Sequence, residues 1–351
     1  MKKQTKLVTV GGVKIGGGER VKIQSMTTMK TSDIESTVAQ ITALEKAGCE
    51  IVRVAIADEA DALAVKQVVE KIKTPLVADI HFSPKLAVMA IENGANKVRI
   101  NPGNIGGEKE IKYVADCVKA HKIPVRVGSN TGSIEKNFLE KYGRSSRALV
   151  ESALYNVGVL EKFGVSDIVI SVKASDVPLT VEAYTLLAQK TDYPLHLGVT
   201  EAGTTESGIV KSAVGIGSLL LGGIGDTIRV SLTDDPVQEI YAAKNILRAC
   251  GLEEEFVEVV SCPTCGRCAW DSMLLANKVS DFVRSYQKRA KIAVMGCVVN
   301  GPGEAKDADL GIAGGNGSCL IFKKGVAYKK VAAEDAEKEF FKEIRLLLDG
   351  E

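Results

Sequence analysis

The sequence lacks several features that would assign it to a simple class. It contains no apolar run of about 20 residues, which argues against a helical membrane span. Its 45 lysines and arginines are balanced by 44 aspartates and glutamates, and a net charge of +1 argues against a surface that attracts nucleic acid throughout. Lysines near the N-terminus are not followed by an apolar segment, so we expect no secretory signal and a cytoplasmic location.

Histidine and aromatic residues are also scarce, whereas cysteine is plentiful, with eight residues that cluster towards the C-terminus. In a long chain without a signal segment we expect thiols that are reduced or bound to metal rather than paired in disulfides. Cys49, Cys117 and Cys250 lie on or at the ends of predicted helices, and we interpret them as small apolar side chains.

Strands and helices alternate through the first 250 residues. Eight short β-branched segments are predicted to be strands: 21–26, 50–55, 75–81, 97–101, 124–130, 167–173, 194–201 and 227–232. Eight such units with short connections predict an α/β fold, a parallel (β/α)8 TIM-type barrel. An open doubly wound sheet is the alternative, but no Gly-x-Gly-x-x-Gly follows the first strand. Residues 6–20 resemble a hairpin that could plug the lower end of the barrel.

The pattern changes near the acidic segment 252–256. Beyond it we predict strands at 256–261, 291–296, 309–313, 318–323 and 326–331, with helices at 270–287 and 333–348. This mixture is typical of a smaller α+β unit. The sequence therefore predicts two domains, 1–251 and 252–351.

Polar side chains of one parity recur near the ends of the barrel strands. Alternate residues of a barrel strand point inward, and the last of them line the catalytic face. The polar pairs of this parity are Asp79 with His81, Arg99 with Asn101, Arg126 with Asn130, and Arg229 with Ser231, while Arg53, Lys173 and Glu201 lie at or near other strand ends. The residues at the alternate positions of these strands are nearly all apolar, as expected for side chains that pack against helices.

The charges at this predicted mouth do not balance. The set holds five cations against the two carboxylates Asp79 and Glu201. An unpaired excess in a partly buried site carries a large desolvation cost, so either an anion binds or some cations pair elsewhere. Arginine suits phosphate oxygens, and a doubly phosphorylated small molecule would neutralise most of the excess. His81 and Glu201 could each move a proton, or could serve only as structural partners.

Three cysteines in the second predicted domain suggest a metal centre. Cys262 and Cys265 are three residues apart at a strand-to-loop transition, and Cys297 follows another strand. Spacing alone nominates Cys268 as well, since the three-cysteine run matches bacterial ferredoxins. Zinc sites use such pairs too, although a zinc ribbon usually has two. At this point iron–sulfur and zinc centres both remain open.

Five segments in the same order resemble one family, the 4-hydroxy-3-methylbut-2-enyl diphosphate synthases of the methylerythritol phosphate pathway. The segments are IQSMT (23–27), ADIHF (78–82), VRINPGN (98–104), HLGVTEAG (196–203) and VMGCVVNGPGE (294–304). Motifs of this length in this order are specific. The resemblance implies an iron–sulfur oxidoreductase of isoprenoid precursor biosynthesis.

The resemblance also implies roles for individual residues. It implies a [4Fe–4S] cluster held by Cys262, Cys265, Cys297 and Glu304, with Cys268 outside the ligand set. The diphosphate of 2-C-methyl-D-erythritol 2,4-cyclodiphosphate would bind Arg53, Arg99, Arg126, Asn130, Lys173, Arg229 and Ser231. Glu201 would donate or relay a proton, with Asp79 and His81 beside it in the catalytic set. Ferredoxin or flavodoxin would supply two electrons, one at a time.

A head-to-tail homodimer is the arrangement that the resemblance implies, with each second domain capping the partner's barrel. The linker near 250–257 is short, which favours capping between chains. Two other interpretations stay open: a nucleic-acid-binding regulator with a structural zinc site, and a non-redox barrel enzyme, such as a pterin-binding transferase, with a zinc-stabilised tail. The near-neutral charge and the missing second cysteine pair argue against the regulator.

Overall fold

A computed structural model describes residues 2–253, 255–263, 265–268, 270–284, 286–298, 301–315 and 317–350. The chain forms two compact units, Met1–Leu252 and Glu253–Glu351. Val299 and Asn300 of the last family-like segment lie outside the described residues, as does Ser285 of the helix predicted at 270–287.

The first unit is a parallel barrel preceded by a hairpin. The hairpin strands are β1 (Val8–Val10) and β2 (Val13–Ile15), and the barrel strands are β3 (Lys22–Met26), β4 (Ile51–Ala55), β5 (Leu76–Asp79), β6 (Lys97–Ile100), β7 (Val125–Asn130), β8 (Ile168–Lys173), β9 (His196–Leu197) and β10 (Thr227–Ile228). The barrel strands pair in the order β8-β7-β6-β5-β4-β3-β10-β9. A parallel bridge between Ile170 and Leu195 joins the two ends, so the barrel is nearly closed. The TIM-type barrel predicted from the sequence is confirmed.

Helices surround the barrel and begin at recognisable caps. They are α1 (Ile34–Ala47), α2 (Glu59–Val69), α3 (Pro84–Glu92), α4 (Pro102–Ile105), α5 (Glu108–His121), α6 (Lys136–Tyr142), α7 (Ser146–Lys162), α8 (Val177–Lys190), α9 (Thr205–Leu221) and α10 (Pro236–Ala249), with a 3-10 turn at Thr131–Ser133. The Asp33, Asp58 and Ser83 side chains each accept a hydrogen bond from a first-turn N–H group. None of the helices in the described part of the chain is long and apolar enough to cross a bilayer.

The strand residues of apolar parity form the core between barrel and helices. Val98, Ile100 and Val127 are fully buried there, among the helix side chains. A separate apolar cluster joins Val10 and Ile15 of the hairpin to the first inward residues of β4 and β5. The hairpin therefore seals the amino-terminal end of the barrel, as the sequence predicted, and the carboxyl-terminal end is left for chemistry.

Strands β9 and β10 are shorter than the predicted segments 194–201 and 227–232, since each has only two residues in regular pairing. Backbone hydrogen bonds do continue beyond them, from Arg229 N–H to the Leu197 carbonyl and from Thr200 N–H to the Ala174 carbonyl. Gly198 interrupts the regular strand, and the Lys173 ammonium lies against it.

The second unit is a mixed five-stranded sheet with helices. Its elements are β11 (Val257–Ser261), β12 (Ala290–Met295), β13 (Leu310–Gly315), β14 (Ser318–Lys323) and β15 (Val326–Ala332), with α11 (Ser272–Val283), α12 (Gly301–Glu304), α13 (Ala336–Asp349) and a 3-10 turn at Ala333–Asp335. The strands follow one another in chain order, parallel from β11 to β13 and antiparallel from β13 to β15. One core cluster includes side chains of α11 and α13, and a smaller one surrounds Phe322.

Candidate active site

Four strands of the barrel carry cationic side chains into its interior. Arg53, Arg99, Arg126 and Lys173 are each at most 8% exposed and come from β4, β6, β7 and β8. In the strand register Arg99 lies directly beside Arg126, because β6 and β7 are parallel neighbours. Arg229 follows β10 and its side chain is also mostly buried. Because these residues occupy positions that point inward, five positively charged side chains lie inside one barrel.

Asp79 lies between two of these guanidinium groups. Its Oδ1 accepts a hydrogen bond from Arg99 Nη1 at 3.0 Å, and its Oδ2 is 3.5 Å from Arg53 Nε. Burial by itself would raise the pKa of this carboxyl group, but the charges of Arg53, Arg99 and Arg126 together lower it to about 2. Asp79 is therefore ionised near neutral pH, and it orients the two guanidinium groups.

A second carboxylate, Glu239 near the start of α10, holds Arg229. Its two oxygens accept hydrogen bonds from Arg229 Nη2 at 3.1 Å and Nε at 3.2 Å. Ser25 Oγ and the Leu232 N–H group donate to the same carboxylate. The bidentate geometry fixes the guanidinium plane. The sequence reading missed Glu239, because it lies on a helix and has no strand parity to reveal it.

Met26 at the end of β3 links two arginines. Its thioether sulfur lies 3.0 Å from Arg53 Nη2 and 3.8 Å from Arg229 Nη1. A thioether is only a weak acceptor, so it positions these groups without neutralising them.

Two glycines make room for long cationic side chains. A β-carbon at Gly128 would lie 3.0 Å from Arg99 Nε, and one at Gly198 would lie 2.7 Å from Lys173 Nζ. Any larger residue at Gly198 would also meet the Arg229 carbonyl oxygen. The strand backbone at these positions therefore forms part of the wall against which the cations pack.

Several buried nitrogen atoms of basic side chains have no hydrogen-bond partner within the described part of the chain. Arg126 Nε and Nη1 are buried without a hydrogen bond, and so are Lys97 Nζ and His196 Nε2. Burial is the largest cause that lowers the pKa of Arg126, Lys97 and Lys173, and neighbouring arginines lower each further. An anion placed among these groups would relieve both the missing hydrogen bonds and the mutual repulsion.

Of the remaining predicted mouth residues, His81 borders the arginine cluster, with Nε2 3.5 Å from Arg99 Nη1, whereas the other three have no contact with it among those described. The His81 ring is more than half exposed, with Nε2 3.8 Å from Asp79 Oδ2. Glu201 is exposed and has a left-handed backbone (φ 52°), which is unusual for a non-glycine residue and common at functional sites. Asn130 ends β7 and Ser231 follows β10, both half-buried. Among the described contacts, no hydrogen bond joins Glu201, Asn130 or Ser231 to the arginines.

The cysteine motif occupies the carboxyl end of the second sheet. Cys262 and Cys297 come just after β11 and β12, which are parallel neighbours, so both lie at one edge of the sheet. The Gly296 N–H group donates a hydrogen bond to Cys262 Sγ at 3.1 Å. The pKa of Arg267 is raised by its hydrogen bond to Cys265 and by the nearby charges of Cys297 and Glu304. Cys262 and Cys297 therefore share one edge of the sheet, and Arg267 lies close to Cys265.

These donors fit an iron–sulfur cluster by their chemistry. Cys262 and Cys297 follow neighbouring parallel strands, and within the described residues no three His, Cys, Asp or Glu side chains are close enough to hold a single metal ion. A cubane takes one protein ligand at each iron, so its ligands are spread around a larger group than a single ion. Cys268 Sγ donates to the Trp270 carbonyl at 3.1 Å and lies 3.3 Å from Ser272 Oγ. It also lies next to Gly296, where a β-carbon would be 2.9 Å from Cys268 Sγ and 3.4 Å from Cys262 Sγ.

Comparison with known proteins identifies the family of the chain. A family model described as the GcpE TIM-barrel domain matches residues 5–244, and one described as the GcpE protein C-terminal domain matches residues 258–346. The chain belongs to the GcpE family. The resemblance seen in the five sequence segments is thereby confirmed.

Curated GcpE relatives cover nearly the whole chain. A protein from Caldanaerobacter subterraneus subsp. tengcongensis is 56% identical over 100% of this chain and 99% of its own length. A protein from Clostridium perfringens is 54% identical over 99% of each chain. Both are named 4-hydroxy-3-methylbut-2-en-1-yl diphosphate synthase (flavodoxin).

More distant solved structures share only the fold. A truncated 3-deoxy-D-arabino-heptulosonate 7-phosphate synthase from Thermotoga maritima is 13% identical, with a TM-score of 0.53, and covers 71% of this chain and 94% of its own. A Xanthomonas albilineans dihydropteroate synthase with 7,8-dihydropteroate is 13% identical, with a TM-score of 0.50, and covers 69% and 96%. At this identity they support the barrel and carry no functional argument.

Lys97 gives a direct test of the crowded barrel charge. We expect Lys97→Met to raise the free energy of unfolding by about 1–3 kcal/mol, because it replaces an unpartnered buried amine by an apolar side chain of similar size. The folded-state pKa of Lys97 lies well below 10.5, its value in an unfolded chain, so unfolding takes up a proton. Wild-type stability should therefore rise with pH up to about that value, and this contribution should vanish in the variant.

Urea unfolding of both proteins between neutral and alkaline pH measures the effect. The conservative Lys97→Arg change, which keeps the charge, serves as the control. A loss of stability in Lys97→Met would contradict the prediction and would mean that the amine has a stabilising partner, such as bound water.

Proposed function

We propose that this chain converts 2-C-methyl-D-erythritol 2,4-cyclodiphosphate into 4-hydroxy-3-methylbut-2-en-1-yl diphosphate. The names of its relatives support the product and the dependence on flavodoxin. The single observation that carries the proposal is the interior of the barrel, where the five predicted cations, with Lys97 in addition, face only the carboxylates of Asp79 and Glu239 in the described part of the chain. Two electrons and two protons enter the reaction, the ring opens, and the hydroxyl oxygen leaves as water.

The cationic cluster supports binding of a diphosphate group. Asp79 and Glu239 hold Arg99 and Arg229 in place but leave an excess of three positive charges. Arg126 offers two unpartnered nitrogens, and no ion pair to Lys173 occurs among the described contacts. A diphosphate supplies both the negative charge and the oxygen acceptors that these groups lack. Asn130 and Ser231 at the strand ends would donate neutral hydrogen bonds to the same ligand.

Glu201 is the proposed proton donor or relay. It lies in the loop that follows β9, at the carboxyl end of the barrel, and it is exposed to solvent. A carboxylate in such a loop can take a proton from water and pass it to a departing oxygen. His81 lies near Asp79 on the same side and would donate a hydrogen bond to the substrate. Asp79 itself would act through the arginines that it orients.

Cys262, Cys265, Cys297 and Glu304 would hold a [4Fe–4S] cluster. When bound, the cluster supplies electrons one at a time. The Gly296 N–H group already donates to Cys262 Sγ, and such hydrogen bonds stabilise a thiolate. A carboxylate is a harder ligand than a thiolate and is more easily displaced, which would suit Glu304 to the corner that faces substrate.

A head-to-tail homodimer would bring the two kinds of site together. Only seven residues, 250–256, separate α10 from β11, which limits the span to roughly 25 Å. An exposed apolar groove of ≈ 540 Å³ lies between α8 and α9, lined by Val177, Val181, Val210 and Val214. Exposed apolar surface of this kind is typical of protein–protein contacts. Both features support the association of two copies.

Anaerobic turnover tests the proposed function. With the cyclodiphosphate and reduced flavodoxin, the reconstituted protein should release the enyl diphosphate, and it should contain iron and sulfide rather than zinc. Cys297→Ala should lose most of the iron and essentially all of the turnover, whereas Cys117→Ser, at a thiol outside the cluster site, should keep both. Colourless, zinc-containing protein without turnover would contradict the proposal.

Arg126 tests the diphosphate site separately. Arg126→Met should weaken cyclodiphosphate binding by about 10- to 100-fold, since about 1.5–3 kcal/mol of charge-assisted hydrogen bonding is lost. Iron content should stay unchanged. Titration calorimetry of the two proteins measures the difference, with the exposed Arg147→Met as a matched control. Equal affinities for Arg126→Met and wild type would remove Arg126 from the site.

Mixed dimers test the shared site. Glu201→Ala and Cys297→Ala homodimers should both be inactive. A co-purified heterodimer of the two contains one composite site with both wild-type halves, so it should regain turnover at one of its two sites. Heterodimers as inactive as their parents would count against capping between chains, and the Glu201→Ala homodimer with full iron content controls for misfolding.

A further inference from the structure

The edge of the second sheet carries a basic hairpin that the proposed reaction does not use. Strands β14 and β15 are joined at Lys324 and Gly325, whose left-handed backbones (φ 50° and 75°) make a tight turn. The segment 323–330, KKGVAYKK, contains four lysines and no acidic residue. We name Lys306, Lys324, Val326, Tyr328 and Lys330 the edge patch.

The centre of the edge patch is apolar. Val326 is 69% exposed and Tyr328 is 54% exposed, on the last strand of the sheet. The Lys323 ammonium lies 3.8 Å from the centre of the Tyr328 ring, and Lys323 is itself held by Glu343. The Lys323 ammonium therefore packs against one face of the Tyr328 ring, while more than half of the residue remains exposed. An exposed, positioned aromatic ring is a feature of binding surfaces.

A rim of positive charge borders the apolar centre on both faces of the sheet edge. Lys330 alternates with Lys329, which pairs with Glu339 of α13, and so lies on the face opposite Val326. Lys323 and Lys329 pair with carboxylates of α13, but Lys306, Lys324 and Lys330 form no ion pair among the described contacts. All three are exposed. The acidic residues next to Lys306 in the chain are Asp307, which is exposed, and Glu304, the proposed cluster ligand. Even with Asp307 counted, the rim keeps an excess of positive charge.

The edge patch lies against the segment that carries Glu304. A β-carbon built on Gly325 would be 3.1 Å from Lys306 Cα and 3.4 Å from the Pro302 carbonyl oxygen. The Lys324 N–H group donates to the Ala308 carbonyl at 2.9 Å. Pro302 and Glu304 share α12, so the tip of the hairpin is packed beside the segment that carries Glu304, one of the proposed cluster ligands.

We propose that the edge patch is the docking surface for an acidic electron-carrier protein of the flavodoxin type. The proposal rests on the proposed function, which requires a partner that delivers single electrons close to the cluster. Electron-transfer encounters are small, weak and steered by charge, and they suit an apolar centre with a cationic rim. A second copy of this chain fits less well, because the lysine rims of two identical edges would repel each other.

Charge reversal separates docking from catalysis. In Lys306→Glu/Lys324→Glu/Lys330→Glu, kcat/KM for reduced flavodoxin should fall about tenfold or more. Added salt should then lower kcat/KM less steeply in the variant than in the wild type. Turnover driven by reduced methyl viologen, a small reductant that needs no docking, should stay at the wild-type value. The control is Lys109→Glu/Lys112→Glu/Lys119→Glu on α5, which changes the net charge equally and should behave as wild type. Because Lys112 and Lys119 pair with Asp116, circular dichroism of this variant checks that it is folded.

Other outcomes overturn the proposal. Unchanged flavodoxin kinetics, equal losses with both reductants, or the same loss in the α5 control would each contradict docking at the edge patch. A changed sedimentation mass of the variant would identify the edge patch as a contact between copies of this chain. If the wild-type protein turned over with neither reductant, the proposed function would fail. Direct titration of flavodoxin onto the wild type and the variant would then still decide whether the edge patch binds flavodoxin. Equal affinities of the two proteins would contradict the proposal.

Discussion

Uncompensated positive charge inside the barrel is the constraint on which the rest of this structure depends. Barrel interiors are ordinarily filled with branched apolar side chains, yet here arginines and lysines occupy the inward positions of neighbouring strands. Asp79 and Glu239 neutralise part of that charge and set the orientation of the guanidinium groups. The surrounding apolar core and the hairpin plug hold the strands in register. The excess positive charge of the interior favours the binding of an anion.

The two units place their functional groups by the same rule. In both sheets, parallel strands end at a common edge, and residues within or just after these strands carry the functional side chains. In the barrel these residues are cations and the exposed Glu201. In the second unit they are Cys262 and Cys297 after β11 and β12. A flat sheet edge leaves room for a cluster and, beside it, for the hairpin of the edge patch.

The site was only partly predictable from the sequence. The rule that alternate residues of a barrel strand point inward identified Arg99, Arg126 and Arg229. The same rule would also have identified Lys97, which lies two residues before Arg99 on the same face. It could not find Glu239, which reaches Arg229 from a helix. Spacing also nominated Cys268, whose thiol contacts Trp270 and Ser272 and lies, like that of Cys262, next to Gly296. The separation of residues along a loop does not determine which way a side chain turns.

Sequence alone determined the order of strands and helices, the inward face of each barrel strand and the family, because these depend on local periodicity and on contiguous motifs. Tertiary structure alone decided which carboxylate holds which arginine, which buried nitrogens lack a partner, and that Lys324 packs beside the segment of Glu304. Those features arise from side chains distant in the chain, and their distances depend on how the strands twist and pair rather than on any local pattern.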